Sequence, residues 1–207
     1  VVATPHVDER LCYPEPERIR DLTARLNELI RAEGLGLKAL PGAEVRAAPE
    51  LVERLVAGQV MTLGDQGKYV LVELPTSGQA VFAGELFFRM QVAGYVPIIA
   101  HAERVDWFRR EPRVLESFRD RGVRVQVNAE SVSGKAGRGC RNIAIGLVKS
   151  GLADVMGSDG HNVGGRKPLL SVGQRNLSRL NGAFERLTVT TPGSFLVAVG
   201  EAKGAGG

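Results

Sequence analysis

The fold is decided by residues 69–101, which read YVLVELPTSGQAVFAGELFFRMQVAGYVPIIAH. The first part, YVLVEL (69–74), is a short apolar run of the kind that forms a buried strand. GQAVFAGELFFRMQVAG (78–94) is long enough for a helix, and VPIIAH (96–101) is a second apolar run. A strand, a helix and another strand in this order predict a right-handed βαβ unit with parallel strands.

The same alternation of short apolar runs and longer amphipathic segments covers the rest of the chain. Strands are predicted at 1–4, within 37–46, at 123–129 and at 152–158, and helices at 14–34, 49–58, 105–122, 140–151 and within 186–201. In the helix at 14–34 an apolar face is predicted from the helical spacing of Ile19, Leu22, Leu26, Leu29 and Ile30. Pro112 is expected to break the helix at 105–122.

The number of βα units indicates a reduced barrel. We count six units in 207 residues, whereas a complete (β/α) barrel has eight strands in about 250 residues. An open doubly wound sheet is the structural alternative, although the chain contains no GxGxxG or GxxxxGK[ST] loop for a nucleotide. We predict one domain over residues 1–199 and a disordered tail over 200–207.

Composition excludes several functional classes. The formal charge is +4 and the arginines are scattered along the chain, so no clustered basic face predicts a nucleic-acid partner. No apolar run reaches the length of a membrane-spanning helix, and no signal-peptide pattern is present. Cys12 and Cys140 form no CxxC motif, which favours a reducing compartment and a cytoplasmic location.

Polar residues that can bind metals recur at the ends of the predicted strands. Three imidazoles and three carboxylates lie there, namely His6, Glu44, Glu73, His101, Asp159 and His161. Gln126 and Asn128 also lie at the end of a predicted strand. The carboxyl ends of the strands share one face of a parallel α/β barrel, where active sites form. Imidazoles and carboxylates are ligands of divalent metals, and such sites acidify water to a pKa of about 7. The pattern therefore predicts a metal site with six protein ligands.

Each of these residues also has an ordinary explanation when it is considered alone. A single histidine at a strand end is more often hydrogen-bonded than a metal ligand, and Glu44, after Pro41-Gly42, could be a solvated surface group. Glu73 differs, because it interrupts a buried run where an unpaired carboxylate is costly. The occurrence of all six at successive strand ends favours the metal site.

Two arginines accompany the predicted ligands. Arg104 follows His101 by three residues, and Arg166 follows His161 by five. A guanidinium group matches a phosphate oxyanion and keeps its charge at any working pH. We therefore predict that both arginines bind phosphate, with ordinary surface roles as the alternative in a chain rich in arginine. Glu103 either orients Arg104 or is a solvated surface group.

The motifs ATPH, GAEV, VEL, IAHAERV, VQVNAES, GSDGHN and GRKP occur in this order. They resemble the PHP (polymerase and histidinol phosphatase) superfamily, and within it the CpsB/YwqE type of manganese-dependent bacterial protein-tyrosine phosphatases. The resemblance covers residues 1 to about 195 and implies a distorted seven-stranded (β/α) barrel. It further implies up to three manganese ions, a phosphotyrosine protein as substrate, and regulation of a tyrosine kinase of capsule or exopolysaccharide synthesis. Whether the chain forms a homo-oligomer stays open.

The resemblance also implies a role for each site residue. Glu44 bridges two ions, Glu73 and His101 complete one of these two sites, Asp159 binds at the first site, and His6 and His161 bind the third. Arg104 and Arg166 hold the phosphate, and a metal-activated hydroxide attacks phosphorus, so that no cysteine nucleophile is required.

The chain departs from the family pattern at its start. The family begins with a strand that carries HxH and an acidic DDGP-like loop, and neither motif is present here. We therefore expect a fragment that lacks the first strand of the barrel, binds metal weakly and has uncertain activity. Two alternatives stay open: a phosphoesterase acting on a small phosphate ester such as histidinol phosphate, and a metal-deficient pseudo-enzyme.

Overall fold

A computed structural model describes residues 1–7, 14–76 and 80–197. The chain divides into two compact units, of which unit 1 comprises Val1–Glu73 with Val81–Pro97 and unit 2 comprises Leu74–Ala80 with Ile98–Gly207. The tail predicted at 200–207 lies outside the described residues. No helix in the part of the chain that the structure describes is both long enough and apolar enough to cross a membrane.

Unit 1 is built on short parallel strands. These are β1 (Val2–Ala3), β2 (His6–Val7), β3 (Leu40–Pro41), β4 (Glu44–Arg46) and β5 (Tyr69–Glu73). Strand β1 pairs with β3, and β4 lies between β2 and β5, all in parallel register. The helices are α1 (Pro16–Ala32), α2 (Leu51–Val56) and α3 (Ala80–Val92). Strand β6 (Val96–Ile99) then leads from unit 1 into unit 2.

Unit 2 continues the alternation. Its elements are α4 (Asp106–Arg110), α5 (Pro112–Asp120), β7 (Arg124–Asn128), α6 (Ala129–Ser133), α7 (Arg138–Lys149), β8 (Val155–Gly157), α8 (Ser171–Leu177), α9 (Ala183–Glu185), a π-helical turn (Arg186–Thr190) and α10 (Thr191–Val197). Strand β7 pairs in parallel with the end of β6 and with β8. The predicted α/β class with parallel strands is confirmed, and Pro112 separates two helices as predicted.

Two local predictions differ from the structure. The segment 37–46 forms two short strands, of which Leu40–Pro41 pairs with β1 and Glu44–Arg46 pairs with β2. Gly42 between them lies close to β1, since a Cβ there would come within 2.7 Å of Val2 Cγ1. In α1 the residues that are buried are Ile19, Thr23 and Ile30, whereas the predicted core positions Leu22, Leu26 and Leu29 are exposed. That part of the prediction is wrong.

A polar contact joins α1 to the residue that precedes β3. The Asn27 side chain donates to the Ala39 carbonyl at 2.8 Å and accepts the Ala39 N–H at 2.8 Å. Thr23 faces the same way and donates to the Ile19 carbonyl at 2.7 Å. These contacts accompany the burial of Ile19, Thr23 and Ile30, and the leucines one position away on the helix face solvent.

Asp154 joins the N-terminal ends of β7 and β8. Its carboxylate accepts the Val125 N–H at 2.9 Å, Arg119 Nη2 at 2.8 Å and Arg124 Nη1 at 3.3 Å. The residue is 4% exposed. This ion cluster lies at the ends of the strands opposite to those that carry the predicted site residues.

We expect Asp154→Ala to lower the free energy of unfolding by about 2–3 kcal/mol, because it leaves a buried N–H and two arginines without their acceptor. Urea unfolding checks this, with Asp106→Ala as the control. Asp106 pairs with Arg109 on the surface, where such a pair contributes about 0–1 kcal/mol. Equal losses in the two variants would contradict a special role for Asp154.

Candidate active site

Unit 1 brings three of the predicted metal ligands together. One ligand atom from each of His6, Glu44 and Glu73 lies within 4.8 Å of the other two, and His6 Nδ1 is 3.8 Å from Glu44 Oε1. We call these residues the ligand cluster. Parallel register explains it: His6 is directly opposite Glu44, and Glu44 is opposite Leu71, two residues before Glu73. Because side chains two apart share a face of a strand, Glu73 points to the same side as Leu71.

The ligand cluster fits a divalent cation. One imidazole nitrogen and two carboxylates form a donor set that Mn²⁺ or Zn²⁺ accepts. The Glu44 side chain is only 6% exposed, and a carboxylate removed from water requires a positive partner. The chemistry of the donor set and the burial of Glu44 therefore agree with the sequence prediction for these three residues.

Unit 2 contains a second cluster, centred on Asp159. Its Oδ2 atom receives Arg166 Nη2 at 2.6 Å, Arg104 Nη1 at 2.8 Å and Asn128 Nδ2 at 2.8 Å. The imidazole of His161 lies beside it, with Nδ1 3.0 Å from the Asp159 carbonyl oxygen. We call these residues the aspartate cluster. Two guanidinium groups thus converge on one carboxylate oxygen.

The loop that carries Arg166 is closed by Asn162. Its Oδ1 atom accepts the N–H groups of Gly164 at 2.9 Å and of Arg166 at 3.2 Å. The Arg166 carbonyl in turn accepts the N–H of His161 at 2.8 Å. These bonds fold the loop back on its start, so that Arg166 returns to Asp159.

Backbone conformations at two predicted ligands are unusual. Asp159 has φ 51°, and His101 has φ 33° and ψ 53°, both in the left-handed region. Residues other than glycine rarely adopt such angles, which cost about 1–3 kcal/mol and cluster at functional sites. The angles at His101 and Asp159 therefore agree with a functional role for both strand ends.

Gln126 supports His101. Its Oε1 atom accepts the His101 N–H at 3.2 Å. The Gln126 side chain lies over Gly157, where a Cβ would approach its Nε2 atom to 2.3 Å. Glycine at 157 therefore leaves the space that Gln126 needs to hold the backbone of His101.

Glu103 is buried rather than solvated. It is 2% exposed, and its Oε1 atom accepts the Asn128 N–H at 3.1 Å. Burial raises the pKa of the Glu103 carboxyl, and the hydrogen bond from the Asn128 N–H opposes this shift. The interpretation of Glu103 as a surface group is wrong.

The raised pKa of Glu103 predicts a pH-dependent stability. Above the unfolded pKa of about 4.3 the unfolded chain has released a proton that the folded protein retains, so stability falls as pH rises toward the folded pKa. Glu103→Gln removes this loss. Its stability relative to the natural protein should therefore increase from pH 4 to pH 7, as measured by urea unfolding with chelator present.

The control for this pH series is Glu116→Gln, which changes an exposed glutamate of α5. Its stability relative to the natural protein should change little over the same range. If the Glu103→Gln and Glu116→Gln profiles run in parallel, burial does not control the titration of Glu103.

The structure therefore groups the predicted site residues in two sets. His6, Glu44 and Glu73 lie together in unit 1, and Asp159, His161, Arg104 and Arg166 lie together in unit 2, where His101 is supported by Gln126. That all eight serve one site stays a prediction. Sequence reasoning gave Asn128 no role, although its position at the end of an apolar strand was the available signal.

Comparison with known proteins places the chain in a family. A family model described as Capsular polysaccharide synthesis, CpsB/CapC, matches residues 1–196. Tyrosine-protein phosphatase YwqE of Bacillus subtilis is 33% identical over 163 residues, which are 79% of this chain and 64% of YwqE. Tyrosine-protein phosphatase CpsB of Streptococcus pneumoniae is 25% identical over 190 residues, which are 88% of this chain and 77% of CpsB.

A solved structure agrees with these relatives. It belongs to the crystal structures of YwqE from Bacillus subtilis and CpsB from Streptococcus pneumoniae, described as metal-dependent tyrosine phosphatases. It matches with a TM-score of 0.86 and 30% identity, and covers 95% of this chain and 79% of the other. The chain spans slightly less than two thirds of YwqE. Because the family model matches nearly all of its length, the chain belongs to the CpsB/CapC family of capsular polysaccharide synthesis.

Proposed function

We propose that the chain carries the active site of a metal-dependent phosphotyrosine-protein phosphatase of the PHP type. The observation that carries the proposal is the ligand cluster, which gathers an imidazole and two carboxylates within 4.8 Å in a member of the CpsB/CapC family. The relatives YwqE and CpsB, both named tyrosine-protein phosphatases, support the choice of substrate.

His6, Glu44 and Glu73 would hold the cation, and His101, Asp159 and His161 are the further ligands that we propose for the same reaction. When bound, a divalent cation supplies Lewis-acid chemistry and lowers the pKa of the attacking water. The protein contributes the fixed positions of His6, Glu44 and Glu73, whose spacing is set by the parallel register of β2, β4 and β5.

Arg104 and Arg166 would bind the phosphoryl group. Their guanidinium nitrogens lie 2.8 Å and 2.6 Å from the same Asp159 oxygen, so both side chains can reach one anionic oxygen. Guanidinium groups bind phosphate oxygens through charge-assisted hydrogen bonds and stabilise the charge of the transition state. Cys140 lies within α7 rather than at a strand end, in keeping with a reaction that needs no thiolate.

The finer features of the proposal concern the cellular role. We propose that manganese is the metal, as the resemblance to the manganese-dependent CpsB/YwqE phosphatases implies, and the two carboxylates of the ligand cluster are compatible with it. The proposed substrate is a bacterial tyrosine kinase of capsule or exopolysaccharide synthesis, and the proposed location is the cytoplasm. The description of the family as one of capsular polysaccharide synthesis supports this setting.

The experiment compares three substrates in the presence of Mn²⁺: a phosphotyrosine peptide, the matching phosphoserine peptide and histidinol phosphate. We expect hydrolysis of the phosphotyrosine peptide, loss of activity in EDTA and recovery on addition of Mn²⁺. Preference for histidinol phosphate would overturn the protein substrate in favour of a small ester. Failure to bind Mn²⁺ in equilibrium dialysis would overturn the enzyme assignment in favour of a metal-deficient module.

A further inference from the structure

Asn128 is fully buried at the end of β7 and makes polar contacts in two directions. Its side chain Nδ2 donates to Asp159 Oδ2 at 2.8 Å, and its backbone N–H donates to Glu103 Oε1 at 3.1 Å. The residue pairs with Gly157 of β8 in the parallel register. Strand β7 therefore fixes both the amide and the N–H of Asn128.

These contacts close a ring. Asn128 binds Asp159, Asp159 binds Arg104, and Arg104 is covalently joined to Glu103, which accepts from Asn128. Glu103 and Arg104 lie in the same 3₁₀ turn, Ala102–Arg104. Because the ring connects a strand end with this turn, a shift of the Asn128 amide would be transmitted to the carboxylate on which both arginines converge.

We infer that Asn128 is a positioning residue, which orients the Asp159 carboxylate and through it Arg104 and Arg166, while Glu103 holds the backbone of Asn128. This inference rests on the proposed function, in which the two arginines bind the phosphoryl group. On this inference Asn128 contributes to phosphate affinity without contacting the substrate.

The chemistry at this position favours asparagine. Asp159 Oδ2 receives three donors, and one of them is the uncharged amide of Asn128. Aspartate at 128 has nearly the same shape but would place a second carboxylate against Asp159. Leucine at 128 retains similar volume and offers no donor. Supporting residues of this kind typically change affinity or activity about 10- to 100-fold.

The test measures binding of inorganic phosphate by calorimetry in the Mn²⁺-loaded protein, together with phosphotyrosine hydrolysis and thermal unfolding. We expect Asn128→Leu and Asn128→Asp to weaken phosphate binding about 10-fold or more and to raise KM more than they lower kcat. Asn176→Leu is the matched control, since the Asn176 amide donates to the Val132 carbonyl at 3.1 Å in the same unit. It should lower the unfolding temperature while phosphate binding is kept.

A double-mutant cycle separates positioning from general destabilisation. Because part of the effect of Asn128 passes through Arg104, Asn128→Leu should weaken phosphate binding less in an Arg104→Ala background than in the natural protein. Additive losses, or unchanged phosphate binding in a folded Asn128→Leu protein, would overturn the inference. Phosphate binding without phosphotyrosine hydrolysis would overturn the proposed function alone, and absence of phosphate binding in the natural protein would overturn both.

Discussion

Replacing Glu44 by glutamine is expected to abolish metal binding by the ligand cluster and to lower kcat/KM for a phosphotyrosine peptide about 1,000-fold or more. Glutamine has the same shape but is neutral, so its amide oxygen binds a divalent cation more weakly than the carboxylate and no longer offsets the charge of the cation. Glu44 is 5% exposed and lies opposite His6 in the parallel register. Solvent therefore has little access to its position, and a water molecule cannot easily take over as the metal ligand. The measurements are equilibrium dialysis with Mn²⁺ and the rate of peptide hydrolysis.

The control for Glu44→Gln is Glu28→Gln, which removes the same charge from the exposed surface of α1 in the same unit. It should leave both Mn²⁺ binding and turnover unchanged. If Glu44→Gln binds Mn²⁺ with the natural stoichiometry and affinity, the ligand cluster is not a metal site and the metal-dependent mechanism cannot rest on it.

Replacing Arg104 by alanine is expected to lower kcat/KM about 100- to 1,000-fold, with Arg166→Ala similar in direction. In the proposed function this guanidinium is a fixed cation that would stabilise negative charge on the phosphoryl oxygens as the transition state forms, and alanine removes it. The Arg104 guanidinium lies 2.8 Å from the oxygen that Arg166 also contacts, so lysine, which lacks the planar fork, should restore little activity at 104. Steady-state kinetics with the phosphotyrosine peptide checks both substitutions.

Arg109→Ala provides the matched control for Arg104→Ala. Arg109 is an exposed arginine that pairs with Asp106 three residues earlier on α4. Removing it should change kcat/KM less than twofold. An unchanged kcat/KM in Arg104→Ala, or an equal loss of kcat/KM in Arg109→Ala, would show that the effect is not specific to the aspartate cluster.

The sequence determined the order and type of the elements around the candidate site. The run YVLVEL forms β5, and Glu73 at its end lies near His6 and Glu44, because the parallel register sets His6 opposite Glu44 and Glu44 opposite Leu71. The family resemblance drawn from the motifs is confirmed by the family model over residues 1–196. These features depend on local pattern and on spacing along the chain, which a sequence carries directly.

The sequence misled where contacts between distant segments decide orientation. The leucine stripe of α1 has helical spacing, yet it faces solvent, while Asn27 of the same helix makes two hydrogen bonds with Ala39. A hydrophobic pattern predicts that a helix has an apolar face. Which stripe of that helix is buried depends on its contacts with other segments, such as the contact of Asn27 with Ala39, 12 residues away.

Only the tertiary structure decided which polar residues of unit 2 contact one another. Arg104, Asn128 and Arg166 are far apart in sequence, and their convergence on one oxygen of Asp159 depends on strand register and on a closed loop. Glu103 likewise becomes a buried partner of Asn128 through folding alone. Residue types and strand ends can be read from the sequence, whereas burial and hydrogen-bond partners exist only once separate segments have packed together.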